Sequence, residues 1–191
     1  MKIVLASGSP RRMDLLNMLN VEFVKDPSGI PEDIDLNDSP ESIVMSLAFQ
    51  KAMDVSTRYE DGELVIGADT IVYNDQVYGK PLDRDDAYNM LKTLSGKEHS
   101  VYTGIAVVKA GSNEKVVDYV RTKVVFKDLS DETIYSYIDT QEAYGKAGAY
   151  AIQGFGSILV EEIQGDYFNI VGLPISRLSD ILKNYFGFRI L

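Results

Sequence analysis

Several residues in this chain could do phosphate chemistry: the adjacent arginines Arg11 and Arg12, the lysines Lys51 and Lys80, and Asp69. Guanidinium groups offer planar, paired donors that match phosphate oxygens. The hydroxyls of Ser7 and Ser9, just before the arginines, could donate to the same oxygens. Asp69 closes an apolar run, Leu64 to Ala68, and a carboxylate there can hold Mg²⁺ or orient a water for attack on phosphorus. If Lys51 and Lys80 face that carboxylate, they supply the charge neutralisation that phosphoryl transfer requires. Each residue also has a plainer role open to it. Arginines on a helix are commonly solvated, a lysine can lay its stem along a core edge, a turn lysine can point to water, and a loop aspartate can act as a cap.

The elements around these residues decide where they point. Ile3-Val4-Leu5-Ala6 reads as a strand, followed by a Ser-Gly-Ser turn, Ser9 as an N-cap and Pro10 at the first helical position. Both arginines then fall in the first helical turn, where the macrodipole is positive and acids would be favoured. A bound polyanion would offset that placement, and the free backbone N–H groups of the helix end would join in holding it. A second helix starts at Ser39-Pro40-Glu41, and its apolar positions Ile43, Val44, Leu47, Ala48 and Ala52 put Lys51 on the inward stripe. Leu64 to Ala68 has the continuous apolar character of a buried strand. It is expected to end in Asp69-Thr70 before continuing Ile71-Val72-Tyr73, so that the carboxylate projects where α/β proteins place ligands.

Further along, Gly79-Lys80-Pro81 is a turn and Asp83 caps a helix containing Ala87, Met90, Leu91 and Leu94. The runs Val101 to Lys109 and Val116 to Lys127 read as a hairpin about Gly111-Ser112-Asn113. A helix over residues 130–138, a glycine-rich segment over 145–156, a strand over 158–163 and a helix from near Pro174 complete an alternating α/β pattern.

At 191 residues, one domain spanning 1–191 is expected, undivided or with two lobes. The absence of cysteine excludes disulfides and thiolate metal sites. With no membrane-length apolar run and no signal-peptide pattern at the N-terminus, a cytoplasmic protein without a membrane partner is expected. A net charge of −10 argues against a general nucleic-acid binder, although a small anion needs only local cations. The single histidine, His99, cannot build a multi-histidine centre, so any metal would be a hard cation held by oxygen. Glu32, in the acidic loop Pro31-Glu32-Asp33-Ile34-Asp35, is either such a ligand or a solvated residue. Neither a Walker A loop nor a G-x-G-x-x-G fingerprint is present.

Taken in order, Leu5-Ala6-Ser7-Gly8-Ser9-Pro10-Arg11-Arg12, Gly67-Ala68-Asp69-Thr70, Gly79-Lys80-Pro81, Thr103-Gly104, Lys146-Ala147-Gly148-Ala149-Tyr150 with Ile152-Gln153-Gly154, and Gly165-Asp166-Tyr167-Phe168-Asn169 with Gly172-Leu173-Pro174 resemble the Maf family of nucleoside triphosphate pyrophosphatases. The resemblance implies an inosine triphosphate pyrophosphatase-like fold, with a mixed β-sheet, flanking helices and two lobes around a central cleft, usually in a homodimer. It implies hydrolysis of a nucleoside triphosphate to the monophosphate and pyrophosphate with a divalent cation, Mg²⁺ or Mn²⁺. By the same resemblance Asp69 matches the catalytic base and, with Glu32, a metal ligand. Ser7, Ser9, Arg11, Arg12, Lys51 and Lys80 match the phosphate-binding positions.

Thr70, Gln153 and Arg12 match the residues that set substrate choice in the family's dTTP/UTP branch. The branch acting on 7-methyl-GTP tends to carry Gln and Glu at the first two of these positions. A neutral amide suits the donor and acceptor edge of uracil or thymine, whereas a carboxylate suits a cationic methylated guanine. The alternatives to a pyrimidine pyrophosphatase are an enzyme of the 7-methyl-GTP branch and a nucleotide-binding regulator linked to septum formation. Where the family usually reads Glu-Pro-x-Asp-Lys-Ala-Gly, this chain has Glu142-Ala143-Tyr144-Gly145-Lys146-Ala147-Gly148, without the proline and the aspartate.

Overall fold

The computed structural model describes residues 1–31 and 38–191. In chain order it contains β1 (Ile3–Leu5), α1 (Pro10–Met18), β2 (Phe23–Lys25), α2 (Pro40–Ser56), β3 (Leu64–Asn74), β4 (Gln76–Tyr78), α3 (Arg84–Leu94), β5 (Glu98–Lys109), β6 (Lys115–Phe126) and α4 (Asp131–Asp139). Two short 3₁₀ turns (Ala147–Ala149 and Gly154–Leu159), β7 (Val160–Gln164), α5 (Tyr167–Val171) and α6 (Ile175–Phe186) follow. The strands form one mixed sheet in the order β2-β1-β3-β5-β6-β7, with β4 paired on β3. β1 lies parallel to β2 and to β3, with Ile3 opposite Leu64, whereas β4 on β3 and β7 on β6 are antiparallel. The chain is therefore α/β with flanking helices.

The residues group into two compact units. The first comprises Met1–Asp69, Thr103–Val120 and Gly172–Leu191. Its core sets Val4, Ala6, Val65, Ala106 and Val108 of the sheet region against Ala48, Ala52 and Val55 of α2. Ser39 caps α2 by accepting the Ser42 N–H, with Pro40 in the first turn, as its sequence dictates. The second comprises Thr70–Tyr102 and Arg121–Val171. There Asp83 caps α3 and Ser130 caps α4, and both helices bury one apolar side, Ala87, Leu91 and Leu94 from α3 and Ile134, Tyr137 and Ile138 from α4. His99, Phe126 and Tyr150 pack edge to face within this unit.

One expectation is corrected. The buried strand does not end at Asp69 but continues through it to Asn74. Asp69 can occupy a mid-strand position because its carboxylate meets the Lys51 ammonium, and a buried charge is tolerated when it is paired. The short elements β2, β4 and α5 were absent from the sequence pattern, since three to five residues are too few to show a period. Among the described residues no helix is long and apolar enough to cross a membrane.

Candidate active site

The first unit carries two preassembled side-chain groups. At the start of α1, Ser9 takes an extended conformation and Pro10 follows, but the Ser9 hydroxyl makes no cap. Instead the Ser9 N–H donates to Ser7 Oγ at 3.2 Å. Arg12 Nη1 donates to the same oxygen at 3.1 Å, while Arg12 Nε donates to the Gly172 carbonyl at 2.7 Å. A hydroxyl has two acceptor sites and one donor. With two donors already received, Ser7 is left its own proton to offer an anion. No acid occupies the first turn of α1, so Arg11 and Arg12 reinforce the positive end of the helix.

The second group is the pair Lys51 Nζ and Asp69 Oδ1, 2.5 Å apart, with side chains only 16% and 12% exposed. Two glycines let α2 come close enough to form it. A Cβ at Gly67 would lie 2.2 Å from the Ala48 carbonyl oxygen and 2.9 Å from the Ala52 nitrogen. A Cβ at Gly104 would lie 2.1 Å from the Val44 carbonyl oxygen. Residues 67 and 69 share one face of β3 because side chains alternate along a strand. The face that admits the backbone of α2 at Gly67 therefore brings Asp69 beneath Lys51, one turn after Ala48.

The remaining predicted residues lie elsewhere. Thr70 follows Asp69 on β3 and belongs to the second unit, as do Lys80 and Gln153. Lys80 is exposed in its turn, and the preceding Gly79 carbonyl accepts the Gly148 N–H at 3.0 Å, so the glycine-rich segment docks beside the lysine. Gln153 is exposed and extended immediately before the Gly154–Leu159 turn. Glu32 lies outside the described residues. His99 Nε2 lies 2.8 Å from the Tyr150 hydroxyl, while its Nδ1 has no partner among the described residues. Burial pushes the imidazole pKa down to about 4, with the nearby Glu98 charge opposing the shift, and burial pushes the Tyr150 phenol up.

For a metal, no group of three His, Cys, Asp or Glu is present among the described residues. Asp69 Oδ2, however, has no hydrogen-bond or ion-pair partner among them. A carboxylate oxygen left over from an ion pair is a hard donor, and it fits a hard cation.

Some parts of this arrangement could not be anticipated. The Gly172 carbonyl that holds Arg12 is a backbone group far away in sequence. The close passage of α2 had one available signal, the spacing of Ala48 and Ala52 one turn apart opposite Gly67, small residues where two backbones approach.

Residues 2–185 match the family model described as Maf-like protein. The chain belongs to the Maf family. Among its relatives, a protein of a Thermoanaerobacter species is 54% identical over the full length of both chains. One from Clostridioides difficile is 52% identical, covering 98% of this chain and 96% of its own. One from Bacillus cereus is 50% identical, covering 96% and 95%. All three are described as dTTP/UTP pyrophosphatases. Among solved structures, the Staphylococcus aureus Ham1 protein overlaps 84% of this chain and 80% of its own at 14% identity, with a TM-score of 0.47. The motifs that resembled the Maf family thus mark membership over nearly the whole chain.

Proposed function

We propose that this Maf protein hydrolyses dTTP and UTP to the nucleoside monophosphate and pyrophosphate. The observation that carries the reading is the shielded pair of Lys51 and Asp69 on the first unit, in a chain whose full-length relatives bear that activity in their names. Asp69 is the general base: it takes a proton from a water that attacks the α-phosphorus, and pyrophosphate departs as the bond to the bridging oxygen breaks. Lys51 Nζ holds the carboxylate in place and offsets its charge when the triphosphate binds. The Ser7 hydroxyl, Arg11, Arg12 and the start of α1 bind phosphate oxygens, with Ser9 and Lys80 contributing to the same task.

A divalent cation, Mg²⁺ or Mn²⁺, held by Asp69 and Glu32, would supply neutralisation of the triphosphate charge. Gln153 reads the pyrimidine edge, and Thr70 and Arg12 complete substrate choice. We place the enzyme in the cytoplasm as a homodimer, where clearing pyrimidine triphosphates is its task.

The test is pyrophosphate release from a panel of dTTP, UTP, CTP, GTP and 7-methyl-GTP with Mg²⁺ or Mn²⁺. Preferential turnover of dTTP and UTP is expected. Tight binding of dTTP without turnover under either metal would overturn the enzyme in favour of a nucleotide-binding regulator.

A further inference from the structure

We infer that Glu142 is the positioning residue for base selection: its carboxylate clamps the turn that follows Gln153 and thereby fixes where the Gln153 amide stands. The inference rests on the reading of Gln153 given above. At the end of α4, Thr140 accepts the Glu142 N–H through its Oγ1, and Gln141 adopts a positive φ of 67°, which folds the chain back on itself. Glu142 then spans the start of the Gly154–Leu159 turn, with Oε1 accepting the Phe155 N–H and Oε2 the Gly156 N–H, each at 3.2 Å.

In a 3₁₀ turn that begins at Gly154 the Phe155 N–H has no internal acceptor, and the carboxylate satisfies it while its second oxygen receives the Gly156 N–H. The neighbouring residues are shaped for the clamp. Gly154 has a φ of +66°, and a Cβ there would sit 2.2 Å from Glu142 Oε1. A Cβ on Gly156 would meet the Ala151 carbonyl oxygen at 2.1 Å and the Tyr137 hydroxyl at 2.9 Å. That hydroxyl itself accepts the Ala151 N–H at 3.1 Å. Gln153 is thus bracketed by two anchors from one helix end, Tyr137 on Ala151 and Glu142 on Phe155 and Gly156. The chain lacks the proline and aspartate usual in this loop but keeps its glutamate, Glu142.

The test uses Glu142→Gln and, independently, Gly154→Ala, whose methyl group would push the carboxylate off the turn. Glu142→Gln keeps the size but presents an amide donor to one of the two N–H groups. Amide hydrogen exchange at Phe155 and Gly156 is expected to accelerate roughly tenfold or more in either variant. The kcat/KM preference for dTTP and UTP over CTP and GTP is expected to fall roughly fivefold or more, through KM with kcat retained.

Unchanged exchange at both amides would overturn the clamp. Faster exchange with unchanged base preference, in a protein where Gln153→Glu does alter that preference, would overturn the positioning role while sparing Gln153. If neither the clamp variants nor Gln153→Glu alter preference, the reading of Gln153 fails and this inference with it.

Discussion

Substituting Gly67 with alanine tests how the Lys51–Asp69 pair is built. The added methyl group would stand 2.2 Å from the Ala48 carbonyl oxygen and 2.9 Å from the Ala52 nitrogen, both rigid backbone atoms of α2. Restoring a separation near 3.5 Å requires the helix to retreat by about 1 Å or more. Lys51 travels with it, so the 2.5 Å contact to Asp69 opens to the limit of a hydrogen bond or past it. Overpacking of this kind destabilises by about 1–3 kcal/mol, or a fall in Tm of roughly 2–12 °C for a chain of this size. A displacement of about 1 Å at reacting groups lowers kcat by roughly a hundredfold.

Calorimetry and steady-state turnover of dTTP on the same preparation read both effects. Gly104→Ala provides the comparison, since its methyl group would strike the Val44 carbonyl oxygen at 2.1 Å, two turns before Lys51. It should destabilise comparably with a smaller loss of kcat. Wild-type Tm and kcat in Gly67→Ala would refute the claim that this glycine sets the pair. Equal kcat losses in the two variants would show that activity follows packing in general rather than the placement of Lys51.

Asp69→Asn should abolish pyrophosphate release while leaving dTTP binding largely intact by titration calorimetry, because an amide keeps the shape but accepts no proton. Gln153→Glu should lower kcat/KM for dTTP and UTP by about five- to a hundredfold, as the contact to the base loses its donor, with GTP and CTP less affected in the same assay. Arg12→Lys removes the fork that joins Ser7 Oγ to the Gly172 carbonyl and should raise KM for dTTP about tenfold or more. His99 binds its proton less readily when folded than when unfolded, with a pKa lowered from 6.5 to about 4. The unfolded state therefore takes up more protons between those values, and stability falls as pH drops from 6.5 toward 4, by up to about 3 kcal/mol. Denaturant unfolding of His99→Gln across that window should show a correspondingly shallower pH dependence.

Much of this site was legible before any coordinates, because its chemistry depends on residue type at element ends. Ser9-Pro10 announced where α1 begins, so Arg11 and Arg12 could be placed at its positive end. The apolar spacing of α2 placed Lys51 on the buried side, where it lies. Asp69 stands out by its place after an apolar run, and a charge at that position reads as a break in the strand. Its partner, Lys51 from α2, is what lets β3 continue, and although the inward stripe of α2 offers that lysine to Asp69, the spacing along the chain does not fix that the two meet. The same limit hid Glu142, whose acceptors are backbone amides thirteen and fourteen residues onward, and it hid the Gly172 carbonyl. Short elements escaped for a simpler reason: three residues of β2 or β4 carry no period to detect.

The bond from Arg12 Nε to the Gly172 carbonyl joins residues 160 positions apart. On a ribosome adding about 5–20 residues per second, these partners emerge roughly 8–32 s apart. Through that interval the arginine has been made but its backbone acceptor has not, and α6, which belongs to the same unit, follows later still. A nascent chain therefore cannot present the finished Ser7–Arg12 group however well its early segments have collapsed. A message truncated shortly before the codon for Gly172 would yield a protein with every polar side chain of the Ser7–Arg12 and Lys51–Asp69 groups but without the carbonyl that receives Arg12 Nε.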